Sequence, residues 1–407
     1  MKTLSLSLIA CSSLIAVLGL FAQKNADSTD WAEQAISTDS SVAQKAQEHL
    51  RAAGPQGLQL LERSFAREIS AHRKGAVSDA RWGRIATALD RVGGQYDNYA
   101  SGLYWYTDLE KAQAAARASG KPILSLRLLG HLDEDLSCAN SRFFRTTLYP
   151  SKDINALLKD RFILHWESVR PAPKVTIDFG DGRKLVRTIT GNSIHYVLDA
   201  DGNIVDVLPG LYSAAVFAGE LRRSADAVEQ AKASGSHDYQ QHLKSTEARL
   251  LQAWASDLQR IQVSLPATFT AETLEQLMDS QKWQQMAQLH FAEGTFDPNV
   301  RAVAARKFPD AVKAAPVAAS KSEVESPMLR AMRNLRSTVA LDTVRDNYML
   351  RSKILDFMTN SFGRNLNLAQ LNDWVYASIF LTPGEDPWLG LAPADVFSAI
   401  DKNGEGQ

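Results

Sequence analysis

The sequence predicts an α/β fold, with a central domain of alternating helices and strands between two all-α regions. Three observations lead to this class. Apolar residues recur at helical spacing over residues 40–100, helical and strand-like segments alternate over 101–232, and helical patterns return over 233–407. With 45% hydrophobic and 22% charged residues, the composition is that of a globular protein able to bury a sizeable core.

The first residues have the layout of a secretory signal. Lys2 precedes an apolar stretch from Leu4 to Ala22, and polar sequence follows it. We therefore expect residues 1–22 to be a signal peptide that exports the protein to the periplasm or another extracytoplasmic compartment. Retention of the stretch as a membrane anchor is one alternative, and lipidation at Cys11 is another. Residues 23–39 are predicted to be a flexible polar leader.

A small helical region is predicted over residues 40–100. Apolar residues recur there every three or four positions, and a Gly-Pro pair at Gly54 breaks the pattern. The absence of a clear repeat period argues against an extended solenoid. The predicted helices begin at Ser40 and continue over Gln56 to His72 and Asp79 to Val92.

The segment with the strongest functional signal runs from Trp105 to Phe144. An alanine-rich helix is predicted over Leu109 to Ala118, and a buried strand over Ile123 to Leu129. After an acidic loop, Cys138 precedes a predicted helix over Arg142 to Leu148. A cysteine at the junction of a strand, a loop and a helix is placed where the helix N-terminus can stabilise a thiolate.

This segment resembles the thioredoxin superfamily, in particular its extracytoplasmic thioredoxin-like domains. The shared features are W-x-x-D-x-x-x-A from Trp105, G-K-P from Gly120 ahead of the central strand, and the segment Gly191 to Asp199, which matches the family's G-T-P-T, strand, D segment in length and apolar pattern. The resemblance covers roughly residues 101–230. It implies a thioredoxin-like domain in which a strand over Phe162 to Val169 lies beside the central strand and a terminal hairpin follows.

The resemblance also implies a site, with two departures from the family's pattern. The family's motif is C-x-x-C, whereas Cys138 is followed by Ser141, and Ser193 stands where the family has a cis-proline. Two-cysteine chemistry within the motif is therefore excluded. We expect monothiol disulfide exchange through Cys138, with Ser141 and Ser193 beside it, so that the chain is a candidate thiol-disulfide oxidoreductase. The alternative for Ser141 is that it only caps the following helix.

The cysteine count bears on the same site. Only Cys11 and Cys138 occur, so removal of the signal peptide leaves one thiol and no internal disulfide. A lone cysteine in an exported chain indicates an intermolecular disulfide, a reactive thiol or a small buried hydrophobe. The expected partners are protein or small-molecule thiols and disulfides.

A β-hairpin insertion is predicted at residues 170–190. Segments Val175 to Phe179 and Leu185 to Ile189 alternate in polarity around a Gly-Asp-Gly turn. The insertion, together with the serines that replace family residues, favours an alternative function: a non-catalytic thioredoxin-fold binding or scaffold module.

Other function classes receive less support. The formal charge of 45 − 46 = −1 gives no sign of the basic surface of a nucleic-acid-binding protein, so no nucleic acid is expected as a partner. No cofactor is expected. A metal site formed by His131, Asp133, Cys138 and His195 is an alternative, but these residues match no standard zinc spacing, so no metal is expected. No stretch after residue 22 is apolar and long enough to span a bilayer.

The C-terminal region, residues 233–407, is predicted to be helical, apart from a connection rich in Ala, Ser and Pro at Ala314 to Ser326. Sequence patterns assign no role to these helices and no oligomeric state to the chain. The predicted helices are His242 to Ile261, Ala271 to Ala292, Val300 to Phe308, Met328 to Ala340, Thr343 to Thr359 and Leu368 to Leu381.

Overall fold

A computed structural model describes residues 30–76, 78–188, 191–290, 339–360 and 363–382. The chain divides into two compact units between Tyr104 and Trp105. The first unit is helical in its described part, and the second combines helices with a five-stranded mixed sheet. The predicted mixed α/β class is confirmed at this level. The predicted signal peptide, residues 1–22, lies outside the described residues.

The first unit forms helices where apolar side chains recur on one face. Leu61, Ile85 and Leu89 have no exposed surface in its core, and burial of each such side chain contributes about 1.5–3 kcal/mol. The helices are α1 (30–35), α2 (Ser40–Ala52), α3 (Pro55–Ser64), α4 (Ala66–Arg73), α5 (Ala80–Gly93) and α6 (Asn98–Ser101).

Two expectations for this unit differ from the structure. Helix α1 lies inside the predicted flexible leader, because Ala32, Ala35 and Ile36 share one helical face and are buried. The single helix predicted over Gln56 to His72 is two helices, because the chain breaks at Phe65, where φ is −112° and ψ is 25°. The ring of Phe65 is buried in the core, so packing holds this break in place.

The described part of the second unit has these strands: β1 (Trp105–Tyr106), β2 (Ile123–Leu129), β3 (Ile163–Arg170), β4 (Lys174–Asp178), β5 (Lys184–Thr188), β6 (Ser193–Leu198) and β7 (Ile204–Pro209). The main sheet has the order β1-β3-β2-β6-β7. Strands β1, β3 and β2 run parallel, and β6 pairs antiparallel with both β2 and β7. Strand β3 therefore lies beside β2, and β6 and β7 form a hairpin, as expected from the sequence.

Strand β2 is the centre of this sheet, which explains its apolar run. All seven of its residues are buried, and it pairs with β3 along one edge and with β6 along the other. Its two polar side chains have partners in the neighbouring strand. Ser125 Oγ lies 2.9 Å from His165 Nδ1, and Arg127 forms an ion pair with Glu167.

The helices that precede and follow β2 begin and end at identifiable residues. Helix α7 (Leu109–Ser119) begins after Asp108, whose side chain accepts a hydrogen bond from Lys111 N, and ends at Gly120 with φ at 71°. Beyond β2, α8 (Ala139–Phe143) continues into a π-helical turn (Phe144–Leu148) and is followed by α9 (Lys152–Arg161).

Strands β4 and β5 form a separate two-stranded sheet, at the place where the sequence predicted a hairpin insertion. The tip is the Gly-Asp-Gly turn, where Gly180 and Gly182 have φ at 76° and 89°. At the base, Thr188 Oγ1 donates a hydrogen bond to Ser137 O at 3.0 Å. The hairpin is thereby attached to the residue before Cys138.

Helix α10 (Ala214–Ser234) is an element that the sequence patterns above did not include. Its sequence nevertheless has the usual features of a helix, since Ser213 caps it and Phe217 and Leu221 lie on its buried face. In the described residues that follow, the α-helices are α11 (Gln240–Arg260), α12 (Ala271–Gln276), α13 (Ser280–Leu289), α14 (Arg351–Thr359) and α15 (Leu368–Trp374).

The predicted C-terminal helices correspond to these elements with differences. The helix predicted over Ala271 to Ala292 is interrupted between α12 and α13. Residues 339–345 and a π-helical turn (Asp346–Leu350) run into α14, and a second π-helical turn (Val375–Ile379) extends α15. The predicted helix Val300 to Phe308, the predicted connection and most of Met328 to Ala340 lie outside the described residues. Among the described helices, none has the length and hydropathy to cross a membrane.

A buried ion pair joins the C-terminal helices to the sheet. Arg351 of α14 has no exposed surface and donates to the two carboxylate oxygens of Asp206 on β7, at 2.9 and 2.8 Å. Its other terminal nitrogen lies 2.8 Å from the carboxylate of Glu220 on α10. Arg249 of α11 also binds Glu220, at 2.6 Å. The sheet and these three helices therefore belong to one unit.

Candidate functional site

The three predicted site residues, Cys138, Ser141 and Ser193, lie together at one end of the main sheet. Cys138 ends the loop that leaves β2, and its backbone N–H donates to Leu129 O at 3.2 Å. Ser141 is in α8 and Ser193 is the first residue of β6. Asn140 Nδ2 donates to Ser193 Oγ at 2.9 Å, which links the start of the helix to the start of the strand.

Cys138 is buried and caps α8. Its side chain is 0% exposed, and its sulfur accepts a hydrogen bond from Ser141 N at 3.4 Å. The Ser141 hydroxyl lies 2.8 Å from Cys138 O and 2.6 Å from Ser137 Oγ. The alternative that Ser141 caps the helix is therefore wrong: Cys138 occupies the N-cap position, and Ser141 supplies the backbone N–H that its sulfur accepts.

Burial also decides the ionisation of the thiol. It raises the pKa of Cys138, although hydrogen bonds from Ser141 act to lower it. Charged residues also lie close to Cys138 in sequence, on both sides of it. Arg145 is buried and donates hydrogen bonds to the backbone oxygens of Glu134 at 2.5 Å and Asp135 at 2.8 Å. The side chains of Glu134 and Asp135 are exposed. The neutral thiol is therefore the favoured form at neutral pH.

Ser193 is part of the regular sheet. The peptide bond before it is trans, it lies opposite Leu128 of β2, and its side chain is 0% exposed. Its carbonyl oxygen accepts a hydrogen bond from Gly210 N at 2.8 Å. The backbone oxygen of Ser193 is thus already occupied within the sheet.

A buried tyrosine–histidine pair lies close to the thiol. Tyr149 Oη is 2.7 Å from His195 Nε2, and the ring of Phe144 packs against His195 with centroids 4.8 Å apart. Burial lowers the pKa of His195 to about 3. Burial, with an added effect of Cys138, raises the pKa of Tyr149 well above its usual value. Both groups are therefore neutral at pH 7 and serve as paired core residues.

The C-terminal segment lies against this end of the sheet. Tyr376 Oη donates to Asn192 O at 3.4 Å, and Asn192 Nδ2 donates to Thr382 Oγ1 at 3.1 Å. Arg170, at the end of β3, donates to Thr382 O at 2.8 Å. Tyr376 is also close enough to Cys138 for a thiolate there to raise its pKa further, after the larger effect of burial. Residues 376–382 are thus hydrogen-bonded to the end of the sheet at which Cys138 lies.

The four residues of the alternative metal site do not form one cluster. His131 is exposed and its Nδ1 lies 3.9 Å from Asp133 Oδ1, whereas Cys138 and His195 are buried. In the parts of the chain that the structure describes, no group of three or more His, Cys, Asp or Glu side chains is arranged to hold a metal ion.

Several residues at this site were not predicted. Tyr376 and Thr382 are 184 and 190 residues from Asn192 in sequence, and no local pattern connects positions so far apart. Tyr149 follows the predicted helix directly, but its pairing with His195 depends on how α8 packs on β6.

No protein-family model matches the chain, and neither the curated proteins nor the solved structures include a significant match to it. A functional assignment must therefore rest on the residues of this chain. The most informative of them is Cys138, because its chemistry depends on access to solvent.

Proposed function

We propose that the second unit is a thioredoxin-like domain that serves as a non-catalytic binding or scaffold module in an exported protein. The strand order β1-β3-β2-β6-β7, with a parallel first half and a terminal antiparallel hairpin, supports the thioredoxin-like assignment. The start of α8 directly after Cys138 supports it as well. The export part of the proposal rests on residues 1–22 of the sequence.

The observation that carries the non-catalytic part is the burial of Cys138. In disulfide exchange a thiolate must reach the sulfur of a substrate disulfide. The Cys138 side chain is 0% exposed, its sulfur is used as a helix cap, and its pKa is raised by burial. These three properties are those of an inert structural cysteine. They disfavour the monothiol exchange that the sequence motif led us to expect.

The hairpin offers a surface for a protein partner. Val175, Ile177 and Phe179 follow one another at every second position, so they share one face, and they are 39%, 48% and 54% exposed. A two-stranded hairpin with an apolar face open to water has little stability of its own. An apolar surface on a partner protein would cover this face, so we propose the β4–β5 hairpin as the contact element.

Crosslinking from the hairpin tests this function. A photoreactive phenylalanine analogue at position Ile177 or Phe179 of the full chain, expressed in its own cells, is expected to form a crosslink to a specific envelope protein. Thr176 lies on the opposite face of β4 and provides the matched control position, which should give no such crosslink.

In the same experiment, Cys138→Ala distinguishes binding through the hairpin from disulfide exchange through the thiol. We expect the crosslinks to persist in this variant, because the partner contacts the hairpin and the sulfur is buried. If they disappear while circular dichroism shows an intact fold, a thiol-dependent interaction is indicated instead. Failure of both hairpin positions to crosslink would contradict the binding surface.

A further inference from the structure

A large groove lies at the end of the sheet opposite to Cys138. Strand β6 begins at Ser193, next to α8, so the turn that follows its last residue, Leu198, is at the far end. The groove has a cavity volume of about 1120 Å³. It is lined by this turn, by residues 236–241, 243 and 244, by Met358, and by residues of α15 and of the segment that leads into it. Small-molecule sites have volumes of roughly 300–1,000 Å³, so the groove is large enough for an organic ligand.

One part of the groove is apolar. Ile204, Leu366 and Leu368 line it and are each partly exposed, while Leu243 and Leu371 lie deeper and are 2% and 1% exposed. Partly exposed aliphatic side chains above a buried layer are suited to contact with the hydrocarbon part of a ligand.

A histidine at the groove is oriented by a buried carboxylate. Asp199 Oδ2 lies 3.1 Å from His237 Nδ1, and Asp199 Oδ1 accepts hydrogen bonds from the backbone of Asp201 and Asn203 at 3.0 and 2.9 Å. The side chain of His237 is 59% exposed, whereas that of Asp199 is 4% exposed. Because Nδ1 faces the carboxylate, Nε2 is the ring nitrogen left to meet a ligand.

The acidic side chains that line the groove are already engaged. Asp201 Oδ1 lies 3.3 Å from Arg117 Nε, and Asp238 Oδ1 accepts a hydrogen bond from Gln240 N at 2.9 Å. The two basic side chains, Lys244 and Arg364, are exposed, and within the described residues neither forms an ion pair. Lys244 also lies close to Glu247, whose pKa is raised by burial and lowered by Lys244. Together with His237 Nε2, Lys244 and Arg364 give the groove three N–H groups that can bind an anion.

From this combination we propose that the groove binds an amphipathic anion, with a carboxylate or phosphate head group joined to an aliphatic chain. Lys244, Arg364 and His237 Nε2 bind the head group, and the wall of Ile204, Leu366 and Leu368 contacts the chain. The proposal is independent of the function assigned to Cys138 and the hairpin, because none of those residues lines the groove.

Calorimetric titration of the full chain with dodecanoate and with dodecyl phosphate, both below their micelle concentrations, tests the proposal and distinguishes the two head groups. Saturable binding of at least one of them is expected, with affinity that falls by about fourfold for each methylene removed from the chain. Dodecanol and dodecyltrimethylammonium should bind at least tenfold more weakly. Equal binding of the neutral or cationic probe, or no saturable binding of either anion, would overturn the proposal.

Variants locate the site. Lys244→Gln combined with Arg364→Gln is expected to lower the affinity for the anionic probe by about tenfold or more, because charge-assisted hydrogen bonds are lost. The control combines Lys159→Gln with Arg222→Gln, which are exposed, carry the same charges and do not line the groove. It should change the affinity by less than about twofold. Equal effects of the two double variants would show that the anion binds elsewhere.

Discussion

Replacement of Arg351 by Met is expected to destabilise the second unit strongly. Arg351 has no exposed side-chain surface, and the side chains of its two carboxylate partners, Asp206 and Glu220, are 1% and 4% exposed. Loss of the guanidinium leaves Asp206 with smaller donors, namely the Ser224 hydroxyl, His242 and the backbone N–H of Val207. Removal of one partner from a buried ion pair costs about 3–5 kcal/mol. Glu220 keeps Arg249 and Arg223 as partners, so the loss falls mainly on Asp206 and we expect a value within this range.

A loss of this size is large compared with the whole stability of a domain, which is typically about 5–15 kcal/mol. Urea titration with pulsed hydrogen exchange, read by mass spectrometry on peptides from β6 and β7, follows the second unit separately from the first. The urea concentration at the unfolding midpoint should fall, while the slope of unfolding free energy against urea concentration stays the same. Arg222→Met, at an exposed position of α10, is the control and should change the free energy of unfolding by less than about 0.5 kcal/mol.

A double variant tests the physical reason. If the stranded carboxylate causes the loss, Asp206→Asn in the Arg351→Met background should restore part of the stability, whereas Asp206→Asn alone should lower it. Burial would raise the pKa of Asp206, but Arg351 and His242 together lower it. The contribution of the ionised Asp206 to the stability of the unit is therefore complete above about pH 4 and is lost as the pH falls below that value. A loss below about 1 kcal/mol for Arg351→Met, or simple additivity in the double variant, would refute the reasoning.

Two further predictions concern buried titratable groups. Burial lowers the pKa of His195 to about 3. As the pH falls from about 6.5, the imidazole is therefore protonated in the unfolded chain before it is protonated in the folded one, and the stability of the wild type falls. His195→Gln should reduce the slope of unfolding free energy against pH by about 1.4 kcal/mol per pH unit between about pH 6 and 4, as measured by urea titration. Asp346 accepts a hydrogen bond from Leu211 N at 2.8 Å and has its pKa raised by burial. Asp346→Asn should therefore stabilise the unit relative to wild type at pH 7, because only the wild type must take up a proton at the buried carboxyl when it folds. This advantage should be lost near pH 4. Equal effects of the substitution on thermal unfolding at both pH values would contradict this prediction.

Local patterns were sufficient for the elements around the candidate site. Asp108 and Gly120 delimit α7, and the apolar run that became β2 was predicted with the bounds it has in the structure, Ile123–Leu129. The hairpin was predicted because alternation on both sides of a glycine-rich turn is a signal contained in fifteen consecutive residues. Such elements are determined by neighbours in sequence.

Tertiary packing determined what the sequence missed. Phe65 interrupts a continuous helical pattern because its ring fills the core of the first unit, and no propensity rule places that break. The position of Cys138 before a helix led us to expect a reactive thiol, but its side chain is buried, and Tyr376, far along the chain, lies close enough to interact electrostatically with it. Likewise, the partners of Arg351 are 131 and 145 residues away in sequence. Contacts at such separations leave no local signal.

The reactivity of the Cys138 thiol tests the central claim most directly. In the full chain with Cys11→Ser, Cys138 is the only cysteine, so the rate of iodoacetamide modification reports on this sulfur alone. We predict that native protein at pH 8 reacts at least about a thousandfold more slowly than protein unfolded in urea, because a 0% exposed sulfur reacts only after an opening that costs several kcal/mol. A native rate within tenfold of the unfolded rate would contradict the non-catalytic account and restore monothiol exchange.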